Sequence, residues 1–143
     1  MRQVRTDIEI DATPERVWTI LTDFASYPAW NPFIQSIRGE PVVGSKLEVR
    51  IAPPDGNAMT FKPTVLSAEP NRELRWLGRV FLPRMFDGEH RLQIEPFADG
   101  GVRFVQAERF RGVLVPFLGK TLEKTERGFT AMNEALKRRA ETR

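Results

Sequence analysis

The sequence predicts an α+β fold: a curved antiparallel sheet of about seven strands around one long C-terminal helix, with two short helices after strand 1. Three observations carry this reading. From Ile34 to Gly112 the chain runs in short apolar or alternating stretches divided by turn-forming residues. From Phe117 to about Ala140 there is no proline, and apolar residues recur at helical spacing. Between these regions and the first alternating stretch lies a Thr-Pro pair followed by an amphipathic segment.

The elements follow in order. In VRTDIEIDA (4–12), Val4, Thr6, Ile8 and Ile10 alternate with charged residues, the pattern of a half-buried strand. Thr13 suits a helix N-cap, and Pro14 suits the first helical position, where no N–H is needed. Val17, Trp18, Leu21 and Phe24 then share one helical face. Two prolines in SYPAWNPF (26–33) break that helix into a short second helix or tight loop. Strands are expected at 34–40, 46–52, 58–68, 73–80, 86–96 and 102–111. Their connections, PVVGS, PPDGN, EPNR, FLPR and ADGG, are short, so successive strands are antiparallel neighbours. In the last segment Leu118, Leu122, Thr125, Phe129, Met132 and Leu136 form one stripe along a helix of about six turns. Gly128 interrupts it at a cost near 1 kcal/mol, which points to a close approach by the sheet or a ligand.

The bulk properties narrow the function. A chain of 143 residues is expected to form a single domain, 1–143, large enough for a core plus a cavity. The absence of cysteine excludes disulfides, thiolate catalysis and Cys-based metal sites, and fits a reducing cytoplasm. With one histidine and no calcium-type loop, no metal and no cofactor are expected. The start carries no apolar signal segment, and the longest apolar run, VLVPFL (113–118), is too short to span a membrane. The net charge of +3 resides in 116–143, where seven Lys/Arg face four Glu. Cations there suit the negative end of a helix dipole, so no nucleic-acid partner is expected. GVLVPFLGKT ends like a phosphate-binding loop, but it has Leu114 where that motif needs glycine, and Pro116 removes a backbone donor.

The only histidine lies in FDGEHRLQIEP, where polar residues alternate with His90, Leu92 and Ile94; His90 therefore points to the inner face. In VRFVQAERFR (102–111), Arg103, Arg109 and Arg111 belong in water, which turns Gln106 and Glu108 inward. Both faces agree only across a loop of odd length, and Ala98-Asp99-Gly100 supplies one with glycine in the left-handed position. Leu92 then pairs with Gln106, and His90 with Glu108, about 5 Å apart between Cβ atoms. The pair is either a mutually satisfied structural contact or a contact for a polar group of a ligand.

The segments TPERVWTILTDFASYPAWNPFI, GEHRLQIEP and FVQAERFRGVLVPFLGKTLEKTERGFTAMNEALK bracket nearly the whole chain. They resemble the START and birch-pollen-allergen (SRPBCC) superfamily with its helix-grip fold, and within it the bacterial polyketide cyclase/dehydrase and lipid-transport group. The resemblance implies a pocket between sheet and helix. The residues expected to line it are the aromatics Trp30, Phe33, Phe61, Trp76, Phe104, Phe110 and Phe129, with Leu92, Leu122, His90, Gln106 and Glu108. Three apolar connections, AWNPF (29–33), VFLPRMF (80–86) and VLVPF (113–117), are candidates for its rim, for a dimer contact or for core packing. The leading expectation is a protein, monomeric or weakly dimeric, that binds or carries a small hydrophobic molecule such as a lipid, isoprenoid or polyketide. One alternative is a polyketide cyclase/dehydrase-like enzyme with His90 and Glu108 moving protons. Another is a protein-interaction module.

Overall fold

Strand β1 (Arg2–Ile10) begins the fold in the computed structural model, which describes residues 2–54, 56–80 and 86–142. It buries Val4 and Ile10 and leaves Arg5, Asp7 and Glu9 in water, as its alternation requires. Helix α1 (Pro14–Thr22) starts as the Thr-Pro pair predicts: Thr13 Oγ1 accepts the Arg16 N–H at 3.1 Å. One 3-10 turn (Phe24–Ser26) and the short α2 (Tyr27–Trp30) follow. Tyr27 is fully buried and donates its hydroxyl to the Leu21 carbonyl at 2.6 Å. Burial, seconded by the charge of Asp23, pushes its phenol far above the ordinary value.

Two antiparallel sheets form the body. Strands β2 (Ile34–Arg38), β3 (Glu48–Ile51) and β4 (Met59–Phe61) make a small sheet in that order. The larger sheet has the order β1, β8 (Val102–Arg111), β7 (Phe86–Pro96), β6 (Glu73–Val80), β5 (Thr64–Glu69). The segment expected as one strand at 58–68 is thus two strands in different sheets. The break falls at Lys62-Pro63, because Pro63 has no N–H to continue a ladder. The two sheets remain stitched there: Pro63 accepts from Leu47 N–H (2.8 Å), and Val65 donates to the Ser45 carbonyl (2.9 Å). The FLPR connection lies outside the described residues, apart from the strand ends that flank it.

On the outer face of the large sheet, Arg75 bridges Glu73 and Glu89 at 3.0 Å each, and Gln93 donates to Glu73. Burial acts to raise the Glu73 carboxyl, but hydrogen bonds from Gln93, Arg75 and Ser67 outweigh it and hold the carboxyl below its usual range.

Helix α3 (Gly119–Glu141) lies across the sheet and buries Leu122, Phe129, Met132 and Leu136, four of the stripe residues. Its open C-terminal carbonyls are met by α1: the Arg16 guanidinium donates to the carbonyls of Arg139 (3.1 Å), Ala140 (3.4 Å) and Thr142 (2.9 Å). Gly128 is where the helix comes close to a neighbour, and the neighbour is Phe33, which enters from the segment after α2. The expectation of approach by the sheet or a ligand is corrected accordingly. A side chain at 128 would occupy the space of the buried Phe33 ring. In an open helix Gly→Ala gains roughly 1 kcal/mol. Here overpacking, typically about 1–3 kcal/mol, opposes that gain, and we expect Gly128→Ala to be destabilising in urea unfolding. A more stable variant would show that Phe33 yields freely.

Candidate functional site

The small sheet, strands β6 to β8 and the N-terminal half of α3 enclose a cavity of about 110 Å³. Its walls are mainly apolar, with Phe33, Val49, Ile51, Phe61, Trp76 and Phe110 contributing. Gly78 and Gly88, opposite each other on β6 and β7, leave its floor without side chains. At Gly88 the vacated space is taken by the Glu108 carboxylate, which a Cβ there would overlap. Thr121 and Thr125 of α3 complete one side.

The polar part of the wall comes from the β7–β8 hairpin. Gly100 adopts φ +101° in the three-residue loop, and Phe97 N–H donates to the Gly101 carbonyl at 2.7 Å. The register places Leu92 opposite Gln106 and His90 opposite Glu108. His90 Nδ1 lies 3.6 Å from Glu108 Oε1, inside ion-pair range but beyond hydrogen-bond length. Trp76 and Phe129 flank the imidazole, each with its ring centroid 5.0 Å away.

Behind His90 runs a buried polar chain whose direction can be worked out from one end. Thr6 Oγ1 is 3.2 Å from the Gln106 backbone carbonyl, which can only accept, so the hydroxyl donates. Thr6 Oγ1 therefore accepts from Asn133 Nδ2 (2.8 Å). The Asn133 amide oxygen is then free to accept from Gln106 Nε2 (2.8 Å). Gln106 Oε1 is left to accept from His90 Nε2 (2.9 Å). A backbone carbonyl thus dictates that His90 carries a proton on Nε2, which leaves Nδ1 as the nitrogen turned toward the Glu108 carboxylate. His90, Gln106 and Asn133 are almost completely buried, where an unpaired polar group is expensive.

Ten of the twelve expected lining residues fall into two sets. Phe33, Phe61, Trp76, His90, Glu108 and Phe110 border the cavity. Leu92, Phe104, Leu122 and Phe129 are fully buried in the core and lie outside the cavity lining. Gln106 stands behind His90 as its hydrogen-bond partner. Trp30 sits elsewhere: its ring meets Tyr27 edge-on at 5.1 Å, and it borders a separate polar groove between α1 and the end of α3. Of the apolar connections, Phe33 of the first reaches the cavity, Val113 and Phe117 of the third are exposed, and 81–85 of the second lie outside the described residues. Sequence reasoning missed Thr6 and Asn133. Asn133 stands four residues after Phe129 and three before Leu136, so its place on the stripe was a usable signal.

An apolar cavity with one polar wall, held between a curved antiparallel sheet and a long C-terminal helix, places the molecule in the helix-grip class of the START and birch-pollen-allergen (SRPBCC) proteins. The chain belongs to the polyketide cyclase / dehydrase and lipid transport family, which it matches over residues 1–141. No curated protein sequence matches it. Among solved structures, a START superfamily protein from Mycobacterium smegmatis superposes with TM-score 0.73 at 21% identity, covering 97% of each chain. The Zhui aromatase/cyclase from Streptomyces sp. R1128 gives 0.76 at 16% identity, over 98% of this chain and 93% of that one. Ara h 8.0201 gives 0.70 at 16% identity over 97% of each. At these identities the likeness is one of fold. No described helix is long and apolar enough to cross a membrane.

Proposed function

We propose that this protein binds or carries a small, mainly apolar molecule in the cavity, with one polar group of the ligand turned toward His90 and Glu108. The observation behind this is an apolar cavity whose titratable lining groups are that pair, beside the hydroxyl of Thr125 and the rim residues Thr121 and Asn57. Its volume of about 110 Å³ is well under the roughly 300–1,000 Å³ usual for ligand sites. This favours a compact ring system over a long acyl chain. The proposal includes a cytoplasmic location, in keeping with a chain that has no cysteine.

Extraction of purified protein followed by mass spectrometry tests it, with a compact apolar compound as the expected product. Titration with such a compound should change tryptophan fluorescence saturably. Trp76→Phe should remove most of the change, and Trp30→Phe should leave it, since Trp76 borders the cavity and Trp30 does not. Failure of a broad set of apolar compounds to bind at micromolar concentrations would count against the proposal.

A second reading, cyclisation or dehydration of a polyketide-like substrate, draws on one feature: His90 Nδ1 and the Glu108 carboxylate, two groups able to exchange protons, stand together at the cavity wall, where an acid–base group must be placed. Conversion of a bound compound that is lost in Glu108→Gln would favour catalysis. Recovery of the compound unchanged favours carriage.

A further inference from the structure

We infer that the cavity selects uncharged ligands that donate a hydrogen bond, such as a phenol or alcohol on an apolar ring system, and rejects carboxylates and phosphates. The inference rests on the cavity-binding reading above and adds the chemistry of the ligand's polar group.

The argument starts from what the wall can offer. The buried chain from Thr6 through Asn133 and Gln106 consumes His90 Nε2. Nδ1 is turned to Glu108 Oε1. Glu108 Oε2 lies over the bare backbone of Gly88, at the cavity floor. An ionised carboxylate accepts through this oxygen whether or not Nδ1 carries a proton. On α3, Thr125 spends its hydroxyl proton on the Thr121 carbonyl at 2.9 Å, so it too faces a ligand as an acceptor. The neutral side-chain donors of the lining are the Trp76 indole N–H and, exposed at the rim, Thr121 and Asn57, and none of them carries a charge to balance an anion. Among the described residues, no Lys or Arg lines the cavity.

A hydroxyl fits Nδ1 with or without a proton. It donates to Glu108, and where Nδ1 is protonated it also accepts from the imidazolium across the 3.6 Å gap. A carboxylate has no proton to give and sets a like charge beside Glu108 in a mostly apolar enclosure.

Calorimetric titration at neutral pH with naphthalene, 2-naphthol and 2-naphthoate tests this, because the three share one ring system. We expect 2-naphthol to bind more tightly than naphthalene and at least about tenfold more tightly than 2-naphthoate. In Glu108→Gln, with its fold checked by circular dichroism, the gap between naphthol and naphthoate should narrow. Naphthoate binding as tightly as naphthol would overturn the inference and leave the cavity reading standing. An unchanged gap in Glu108→Gln would overturn the role given to Glu108. Absence of binding by all three would remove both.

Discussion

Phe129→Ala is expected to destabilise the protein by about 3–5 kcal/mol, the cost of deleting a large aromatic from a closed core. Phe129 is fully buried, packs edge-on against Phe33 at 5.6 Å and lies beside the His90 ring at 5.0 Å. It sits where α3 meets the sheet, below the cavity and outside its lining. The surrounding residues are held by two sheets and a helix, so collapse into the void is limited. Urea unfolding measures the effect through a shift in midpoint. A loss under about 1 kcal/mol would mean that the site relaxes freely or borders open space.

Gln106→Leu is expected to be comparably damaging for a different reason. Leucine fills nearly the same volume, so little void is created. It orphans the His90 Nε2–H and the Asn133 amide oxygen, both deeply buried, at a cost of about 1–3 kcal/mol for each. A second measurement separates this from a packing effect. In wild type the imidazole ¹⁵N spectrum should show the proton fixed on Nε2. In the variant that fixation should be lost, because the chain from the Thr6 hydroxyl no longer reaches His90. A variant of wild-type stability with the Nε2 proton still fixed would refute the directional chain. Asn133→Leu, which cuts the same chain one link earlier, should produce a milder form of both effects.

The two variants act on neighbouring residues of one site, so their effects should not add. Phe129 supports the His90 ring from one side, and Gln106 holds its Nε2 from behind. A double-mutant cycle should therefore show coupling, as residues in contact usually do. The imidazole orientation is then set by the Phe129 and Trp76 rings that flank it and by a backbone-anchored hydrogen bond on its edge.

The amino-acid sequence by itself determined most of the elements, though not the division of 58–68 between two sheets, and the hairpin at the heart of the site. Alternation along a strand assigns each residue to a face, and the odd loop Ala98-Asp99-Gly100 leaves one register that keeps both inner faces together. That is why the pairing of His90 with Glu108 is legible in the sequence. The Thr-Pro start of α1 and the stripe of α3 were legible for the same reason: capping and periodicity are local. Tertiary structure alone decided which aromatics border space and which fill it. Phe104 and Phe110 share one face of β8, yet Phe104 is in the core and Phe110 at the cavity, because α3 and the small sheet cover the two ends differently. The link from Asn133 to Thr6 joins residues 127 positions apart, and no periodicity encodes such a meeting. The seat of Phe33 on Gly128 is of the same kind: a glycine in a helix signals that something comes close, and only the packing of distant segments settles what comes.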